Sequence, residues 1–229
     1  MPTGERAAGS PDRSPRVLRW AGLTLLAVDA ALVIALAAKG SVLTRPGGLR
    51  YTVTPLVGLA AYAGAVVVVS TGRGAWVREA RRIGLVTGAV TGVMWLSDLL
   101  IETFAGLSGW PSLAATAPLL LGGFVLWGGA GARAWRRAGP VRAGLLAAVV
   151  AAMTCVSITL VLGFTLPFLA LPRLARLIDG SPEYLDSGWH DLPAFAVANT
   201  LDAGFTHLLV APAVALVAGA LGAAAVRSR

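Results

Sequence analysis

Two carboxylic acids lie in the apolar segment WLSDLLIETF, residues 95–104. Asp98 and Glu102 are four residues apart, so in an α-helix their side chains lie one above the other on the same face. Carboxylates at this spacing repel each other, and each costs about 3 kcal/mol to insert at the centre of a membrane helix. Two close carboxylates in a low-dielectric site rarely both ionise, so the pair predicts a site that holds a proton or a cation.

Asp29, Asp202 and His207 are the other ionisable residues within apolar segments. Depth can be counted at 1.5 Å per residue from the basic residues that flank each segment, which puts Asp29 about 15 Å deep, near the midplane of a bilayer. Asp98 and Glu102 lie at roughly 24 and 30 Å, and Asp202 and His207 at about 30 Å or more. Four of the five therefore converge on the outer third of the membrane. Asp29 is a candidate for a proton path towards Asp98, about 9 Å deeper.

We expect Asp98 and Glu102 to form the floor and rim of an outward-facing polar pocket. Asn199, Asp202 and His207 of the last apolar segment would close this pocket, because they fit within an arc of roughly 140° on one helix. Asp98 is the deeper carboxyl group. It is expected to keep its proton at neutral pH, since burial disfavours the charged form.

A purely structural role for the same residues is the alternative. Glu102 could lie among the lipid headgroups in contact with water, paired with Arg173 or Arg176. Asp202 could cap the last helix by accepting backbone N–H bonds near its start. His207 could be a neutral, hydrogen-bonded packing residue.

A metal site is a further hypothesis, because Asp98, Glu102 and His207 supply oxygen and nitrogen ligands. The sequence has no HExxH motif, and its single cysteine, Cys155, cannot supply a Cys-based metal site. It has no GxSxG or P-loop motif either. No catalytic residue and no cofactor is therefore predicted.

The composition indicates the class of protein. Of 229 residues, 56% are hydrophobic and 13% are charged, whereas a soluble domain has roughly 25% charged residues. Several apolar runs reach the roughly 20 residues that cross a bilayer. We therefore predict an all-α, multi-pass membrane protein. The net charge of +8 comes from short basic clusters beside these runs, which indicate orientation in a membrane and not a nucleic-acid partner.

Six spans are predicted, and together they form a single transmembrane domain over residues 17–229. A polar tail at residues 1–16, predicted to be disordered, precedes them. An Ala-x-Ala pattern at residues 35–40 is typical of a signal-peptide cleavage site, but Asp29 would then interrupt the apolar core of that peptide. An acidic outer loop is predicted at about 173–192. The predicted spans are 17–38, 53–72, 83–105, 111–131, 142–170 and 194–226.

Glycines mark the face of the third span that is expected to pack inside the bundle. Gly84, Gly88 and Gly92 recur every four residues, a pattern that lets helices approach closely. At 100° per residue, Glu102 returns to the azimuth of Gly84, and Asp98 lies about 40° to one side. Both acids are therefore predicted to point into the bundle and not at lipid.

These features favour a transport-like protein, either a permease or a small-solute transporter linked to protons or cations. Its richness in Ala, Gly and Arg is typical of a bacterial protein, which would lie in the inner membrane. The alternative is a non-catalytic accessory or assembly subunit in which the acids are structural. Six spans with a long, proline-containing fifth span and an outer loop resemble the membrane subunits of ABC exporters in architecture. Besides the lipid bilayer, that resemblance implies an ATPase or another membrane subunit as partner.

The distribution of arginine and lysine predicts that both termini lie in the cytoplasm. In this orientation the cytoplasmic side holds 14 of the 19 basic residues, namely Arg6, Arg13, Arg16, Arg19, Arg73, Arg78, Arg81, Arg82, Arg133, Arg136, Arg137, Arg142, Arg227 and Arg229. A reporter fused after Arg229 should therefore give a cytoplasmic signal. Cysteines introduced in residues 173–192 should react with impermeant reagents added outside the cell. A periplasmic signal from the Arg229 fusion would contradict this topology.

Overall fold

The computed structural model describes residues 14–105 and 110–227 of the chain. Within these residues there are seven α-helices, one 3₁₀ turn and no strand. Six of the helices are long and apolar enough to cross a membrane, which confirms the predicted all-α, multi-pass architecture. The predicted tail lies outside the described residues, apart from residues 14–16, which begin the first helix. The helices are α1 (Ser14–Lys39), α2 (Gly48–Thr71), α3 (Ala75–Phe104), α4 (Trp110–Ala138), α5 (Val141–Ile178), α6 (Pro182–Asp186) and α7 (Leu192–Arg227), and the 3₁₀ turn is Val42–Thr44.

The six long helices alternate in direction and define two ends of the bundle. We call the end with the start of α1 and the end of α7 the terminal end, and the end with the 3₁₀ turn and α6 the distal end. α5 is the central helix, since it packs against α1, α3, α4 and α7. The hairpin of α1 and α2 covers α5 and α7 on one side.

Short turns at the terminal end reverse the chain between consecutive helices. Gly74 precedes α3 with a φ of +147°, and Gly139 precedes α5 with a φ of +87°. Side chains with a Cβ rarely adopt such dihedrals, which is why glycine occupies both turns. Pro140 follows in an extended conformation and has no N–H to leave unpaired at the start of α5.

α3 and α5 run parallel and touch through the glycine stripe of α3. A Cβ atom on Gly84 would lie 2.7 Å from the carbonyl oxygen of Ala147, and one on Gly88 would lie 2.5 Å from that of Ala151. Gly92 packs against the next turn of α5. Only glycine allows two helix backbones to approach this closely, so the stripe determines how α3 lies on α5.

Glycines also join α4, α5 and α7 near the terminal end. A Cβ atom on Gly131 would lie 2.8 Å from the Cα of Gly219, and one on Gly144 would lie 2.7 Å from the carbonyl oxygen of Gly131. A Cβ on Gly222 would overlap the carbonyl oxygen of Gly128 at 2.1 Å. The backbones of α4, α5 and α7 are therefore in direct contact at these glycines.

α5 bends at the distal end. Pro167 and Pro172 lie within it, and Ala170 between them has non-helical dihedrals of φ −139° and ψ 28°. A proline in a helix removes one backbone hydrogen bond and crowds the preceding turn, which explains the kink. Lys39 at the end of α1 donates a hydrogen bond to the Pro167 carbonyl oxygen at 3.4 Å, and its ammonium nitrogen lies 4.7 Å from the centre of the Phe168 ring.

Asp191 fixes the start of α7. Its Oδ1 accepts a hydrogen bond from the Ala194 backbone N–H at 3.0 Å, as an N-cap residue does. Its other oxygen forms an ion pair with Arg45, which ties the turn after α1 to α7. Because α7 begins at Leu192, Asp202 lies well inside the helix and does not cap it, contrary to the structural alternative considered from the sequence.

Several helices extend beyond the predicted spans. α3 begins at Ala75 instead of residue 83, and α4 continues to Ala138 instead of residue 131. α5 continues to Ile178, so residues 173–178 of the predicted outer loop are helical and the distal connection is shorter. The predicted spans ended near basic residues, but arginine is a good helix former whose aliphatic stem can lie along apolar surface.

Replacing Gly88 by alanine should destabilise the protein by about 1–3 kcal/mol, because the added Cβ would overlap the Ala151 carbonyl oxygen. The higher helix propensity of alanine acts in the opposite direction, by up to about 1 kcal/mol. Gly129 on α4 is the matched control, since no atom lies within 4 Å of a Cβ placed there. Thermal unfolding in detergent should show a loss of stability for Gly88→Ala and none for Gly129→Ala. Equal melting temperatures would contradict the close contact of α3 with α5.

Candidate functional site

A cavity of about 220 Å³ lies in the distal half of the bundle, and we call it the distal cavity. Its walls come from α3, α5 and α7, with Leu120 contributed by α4. Four of the candidates singled out in the sequence line it, namely Asp98, Glu102, Asn199 and His207. The structure thus brings together polar residues of α3 and α7, which are far apart in the sequence.

The α3 wall is one helix face. Trp95, Asp98 and Glu102 line the cavity at intervals of three and four residues. Asp98 is only 7% exposed, and its Oδ1 is buried without a hydrogen-bond partner among the described residues. Glu102 lies one turn nearer the distal end and is exposed. The two carboxyl groups therefore differ in depth as well as in surroundings.

The α7 wall follows a four-residue spacing. Asn199, Ala203 and His207 line the distal cavity, together with Thr200 and Gly204. These residues share an arc of roughly 140° around the helix, and Asp202 lies outside it. His207 Nδ1 lies 2.7 Å from the Ala203 carbonyl oxygen, a contact that requires the proton on Nδ1. Nε2 is then available to other partners. Of the three α7 residues predicted to close the pocket, the structure thus places Asn199 and His207 at the cavity but not Asp202.

The α5 wall was not predicted. Thr159, Gly163 and Phe164 line the cavity from this helix, and Leu174 lines it from beyond the kink. Pro167 has no N–H, so the carbonyl of Gly163 lacks its usual helical donor. The position of Pro167 four residues after Gly163 was the available sequence signal for this wall.

An aromatic cluster lies beside the carboxyl groups. The ring of Trp95 is 5.9 Å from that of His207 and 5.4 Å from that of Trp127 between centroids. The indole N–H of Trp127 donates to Thr91 Oγ1 at 3.2 Å, and both side chains are fully buried. This hydrogen bond joins α4 to α3 and holds the aromatic cluster in place.

The ionisable residues that line the distal cavity are two carboxylic acids and one histidine. Asp98 and Glu102 line it, whereas no lysine or arginine does so among the described residues. Arg173, considered above as an ion-pair partner of Glu102, donates to the Phe104 carbonyl oxygen at 2.7 Å and lies 5.4 Å from the Phe104 ring. It thus caps the end of α3, and neither carboxylate has an ion pair within the described part of the chain.

Asp29 lies apart from this cavity. It is fully buried on the face of α1 that also carries Leu26, Val33 and Leu36, which pack in the main core. Neither of its carboxyl oxygens has a hydrogen-bond partner in residues 14–105 and 110–227. The structure therefore does not join Asp29 to Asp98 by any hydrogen bond, as a proton path would require.

The hypothesis of a metal site is not supported. Within the described residues, no three His, Cys, Asp or Glu side chains are grouped so that they could hold a metal ion. Asp98, Glu102 and His207 line one cavity but do not form a set of ligands.

Comparisons with known proteins give no relative: no family model matches the chain, and no curated protein or solved structure matches it either.

Replacing Asp29 by leucine, which has nearly the same shape, should raise the stability of the protein by about 1–3 kcal/mol. The reason is that a buried polar group without a hydrogen bond lowers the free energy of unfolding by about this amount. Asp29→Asn retains an unpaired polar group and serves as the control, with little change expected. Thermal unfolding of both variants in detergent measures the difference. A marked loss of stability in Asp29→Leu alone would show that the carboxyl group has a favourable partner.

Proposed function

We propose that this chain is a transport protein of the bacterial inner membrane that binds a proton or a small cationic solute in the distal cavity. The supporting observation is the Asp98 carboxyl group. Its Oδ1 is buried without a partner among the described residues, yet Asp98 lines a cavity shared with Glu102 and Asn199. Ionisable groups inside membrane bundles are costly, and those that face a cavity typically lie on paths of protons, ions or substrates.

The proposed roles follow from depth. Glu102 is exposed at the rim and attracts a cation from the distal side, because no lysine or arginine of the described residues lines the cavity beside it. The deeper Asp98 receives the proton or cation. Asn199 and His207 on the opposite wall supply hydrogen bonds that orient a solute. Leu174 lies at the cavity beyond the kink at Ala170, so movement of the bent end of α5 would open or close it.

The proposed orientation places the terminal end in the cytoplasm and the distal cavity towards the outside. It is supported by the basic residues of the terminal end, which follow the rule that cytoplasmic loops are rich in arginine. The distal connection before α7 carries instead four acidic residues, Asp179, Glu183, Asp186 and Asp191.

An accessory role in a larger membrane complex is the alternative. Gly64 on α2 and Gly129 on α4 favour it, since each lies on the outer surface with open space around it. Small residues on an outer surface let a partner helix approach closely. In such a subunit Asp98 would contribute to structure only.

Asp98→Asn should abolish transport without changing the fold. Asparagine keeps the shape of the side chain but can neither release a proton nor neutralise a cation. We expect at least a tenfold loss of flux, which corresponds to a rise of about 1.4 kcal/mol or more in the activation free energy of transport. The measurement is the flux of protons, sodium and methylammonium into proteoliposomes under an imposed membrane potential. Asp202→Asn is the matched control, because Asp202 is a nearby carboxyl group on α7 that does not line the distal cavity.

Full flux in Asp98→Asn would exclude this carboxyl group from the transport path. Absence of flux of all three cations in the wild-type protein would instead favour the accessory role. In that case Asp98→Leu should weaken folding or assembly, and co-purification of a partner subunit would be the next measurement.

A further inference from the structure

A second cavity, of about 240 Å³, lies in the terminal half of the bundle between the α1–α2 hairpin and the α3–α5 pair. We call it the terminal cleft. It follows α2 from Tyr62 to Ser70 and α5 from Val150 to Ile158, so it is roughly 12 Å long and parallel to the helices. The cleft shares no lining residue with the distal cavity.

The interior of the terminal cleft is mostly apolar, and its main polar feature is the hydroxyl of Tyr62, which is buried without a hydrogen-bond partner among the described residues. Leu25, Val66, Leu85 and Met153 contribute to its walls from four different helices. The hydroxyl of Thr154 is engaged, since it donates to the Val150 carbonyl oxygen at 2.8 Å. The length and the mostly apolar walls of this interior suit an apolar chain that runs along the membrane normal.

Arg81 places a positively charged guanidinium group at the terminal edge of the cleft. Its side chain lines the cleft and is only 7% exposed. Nη1 donates to the carbonyl oxygens of Val69 and Ser70 at 3.3 and 3.0 Å, which fixes the guanidinium against the end of α2. The remaining N–H groups of the guanidinium are suited to bind two oxygens of an anion side by side.

The surroundings of Arg81 are strongly basic. Arg73, Arg78 and Arg82 are exposed around it at the same end of the bundle. The nearby acid in α3, Glu79, is paired with Arg137 at 3.0 Å. An anion at the edge of the cleft would thus meet positive charge with little local compensation.

We infer that the terminal cleft binds an anionic phospholipid of the surrounding bilayer, with one acyl chain between the α1–α2 hairpin and α3–α5 and the phosphate on Arg81. An apolar slot that ends at a buried arginine matches the two parts of such a lipid. Basic pockets between membrane helices bind anionic headgroups in this way. A zwitterionic lipid places a positive group beside the same arginines and is bound less well. The lipid fills the space between the two helix pairs and joins them.

The experiment uses the delipidated full-length chain in detergent, titrated with phosphatidylglycerol or phosphatidylcholine. Native mass spectrometry measures binding, and the shift in melting temperature measures stabilisation. We expect the wild type to prefer phosphatidylglycerol about tenfold, because both lipids carry the phosphate but only phosphatidylcholine adds a positive charge beside the arginines. Arg81→Gln should remove that preference. Arg82→Gln removes an exposed neighbouring charge and should retain most of it.

A second pair of variants tests the acyl-chain part without touching Arg81. Ala65 lines the terminal cleft, whereas Ala61, one turn away on α2, is exposed and does not. Ala65→Phe should weaken binding of both lipids at least tenfold, and Ala61→Phe should leave it unchanged. A photoreactive phosphatidylglycerol should label peptides containing residues 62–70 and 150–158 in the wild type.

Equal affinity for the two lipids, or an unchanged preference in Arg81→Gln, would overturn the assignment of the phosphate to Arg81. Unchanged binding in Ala65→Phe would overturn the assignment of the acyl chain to the cleft. Equally tight binding of free lauric acid would indicate a site for carboxylates and would overturn the phospholipid assignment. None of these outcomes depends on transport by the distal cavity, so the two proposals fail independently.

Discussion

The contact between α3 and α5 at Gly84, Gly88 and Gly92 determines how closely these two central helices lie. Lipid tails are as apolar as leucine side chains, so helices in a membrane associate through close packing and not through the hydrophobic effect. The three glycines bring the backbones together over the terminal half of α3. Beyond Gly92 the larger side chains Trp95 and Asp98 follow on the inward side of the helix. Both of them line the distal cavity, which lies beyond the glycine contacts.

The kink in α5 keeps that space from closing again. A straight helix would continue to pack along α3 and α7, but Pro167 and Pro172 bend α5 at Ala170. Lys39 and Arg173 then bind carbonyl oxygens of Pro167 and Phe104 with their charged ends, near the distal limit of the apolar region. These two basic side chains therefore satisfy backbone groups around the cavity, and no arginine or lysine of the described residues pairs with Asp98 or Glu102.

The sequence was sufficient to predict the class of fold and half of the candidate site, for identifiable reasons. Apolar runs of membrane length predict helices because no water is available to pair the backbone. Asp98 could be assigned to the interior because it shares a helix face with the glycines. Asn199 and His207 could be assigned to the same pocket because their depth in the membrane matches that of Asp98 and Glu102. Asp202 lies at a matching depth but on another face, which only the packing of α7 decides. The α5 wall carries no charged residue, so no intramembrane charge pointed to it in the sequence. The parallel pairing of α3 with α5 depends on tertiary packing, which the sequence pattern does not reveal.

The two cavities share α5 as a common wall. Ser157 and Ile158 line the terminal cleft, and Thr159 and Leu160, the next residues of the helix, line the distal cavity. A rotation of α5 about its axis would therefore change the shape of both. The glycine contacts with α3 oppose such a rotation in the terminal half, because the backbones there have no free space. The distal half of α5 has no such glycine contact with α3 and is bent at Ala170, so a rotation of α5 would meet less resistance in the part that faces Asp98.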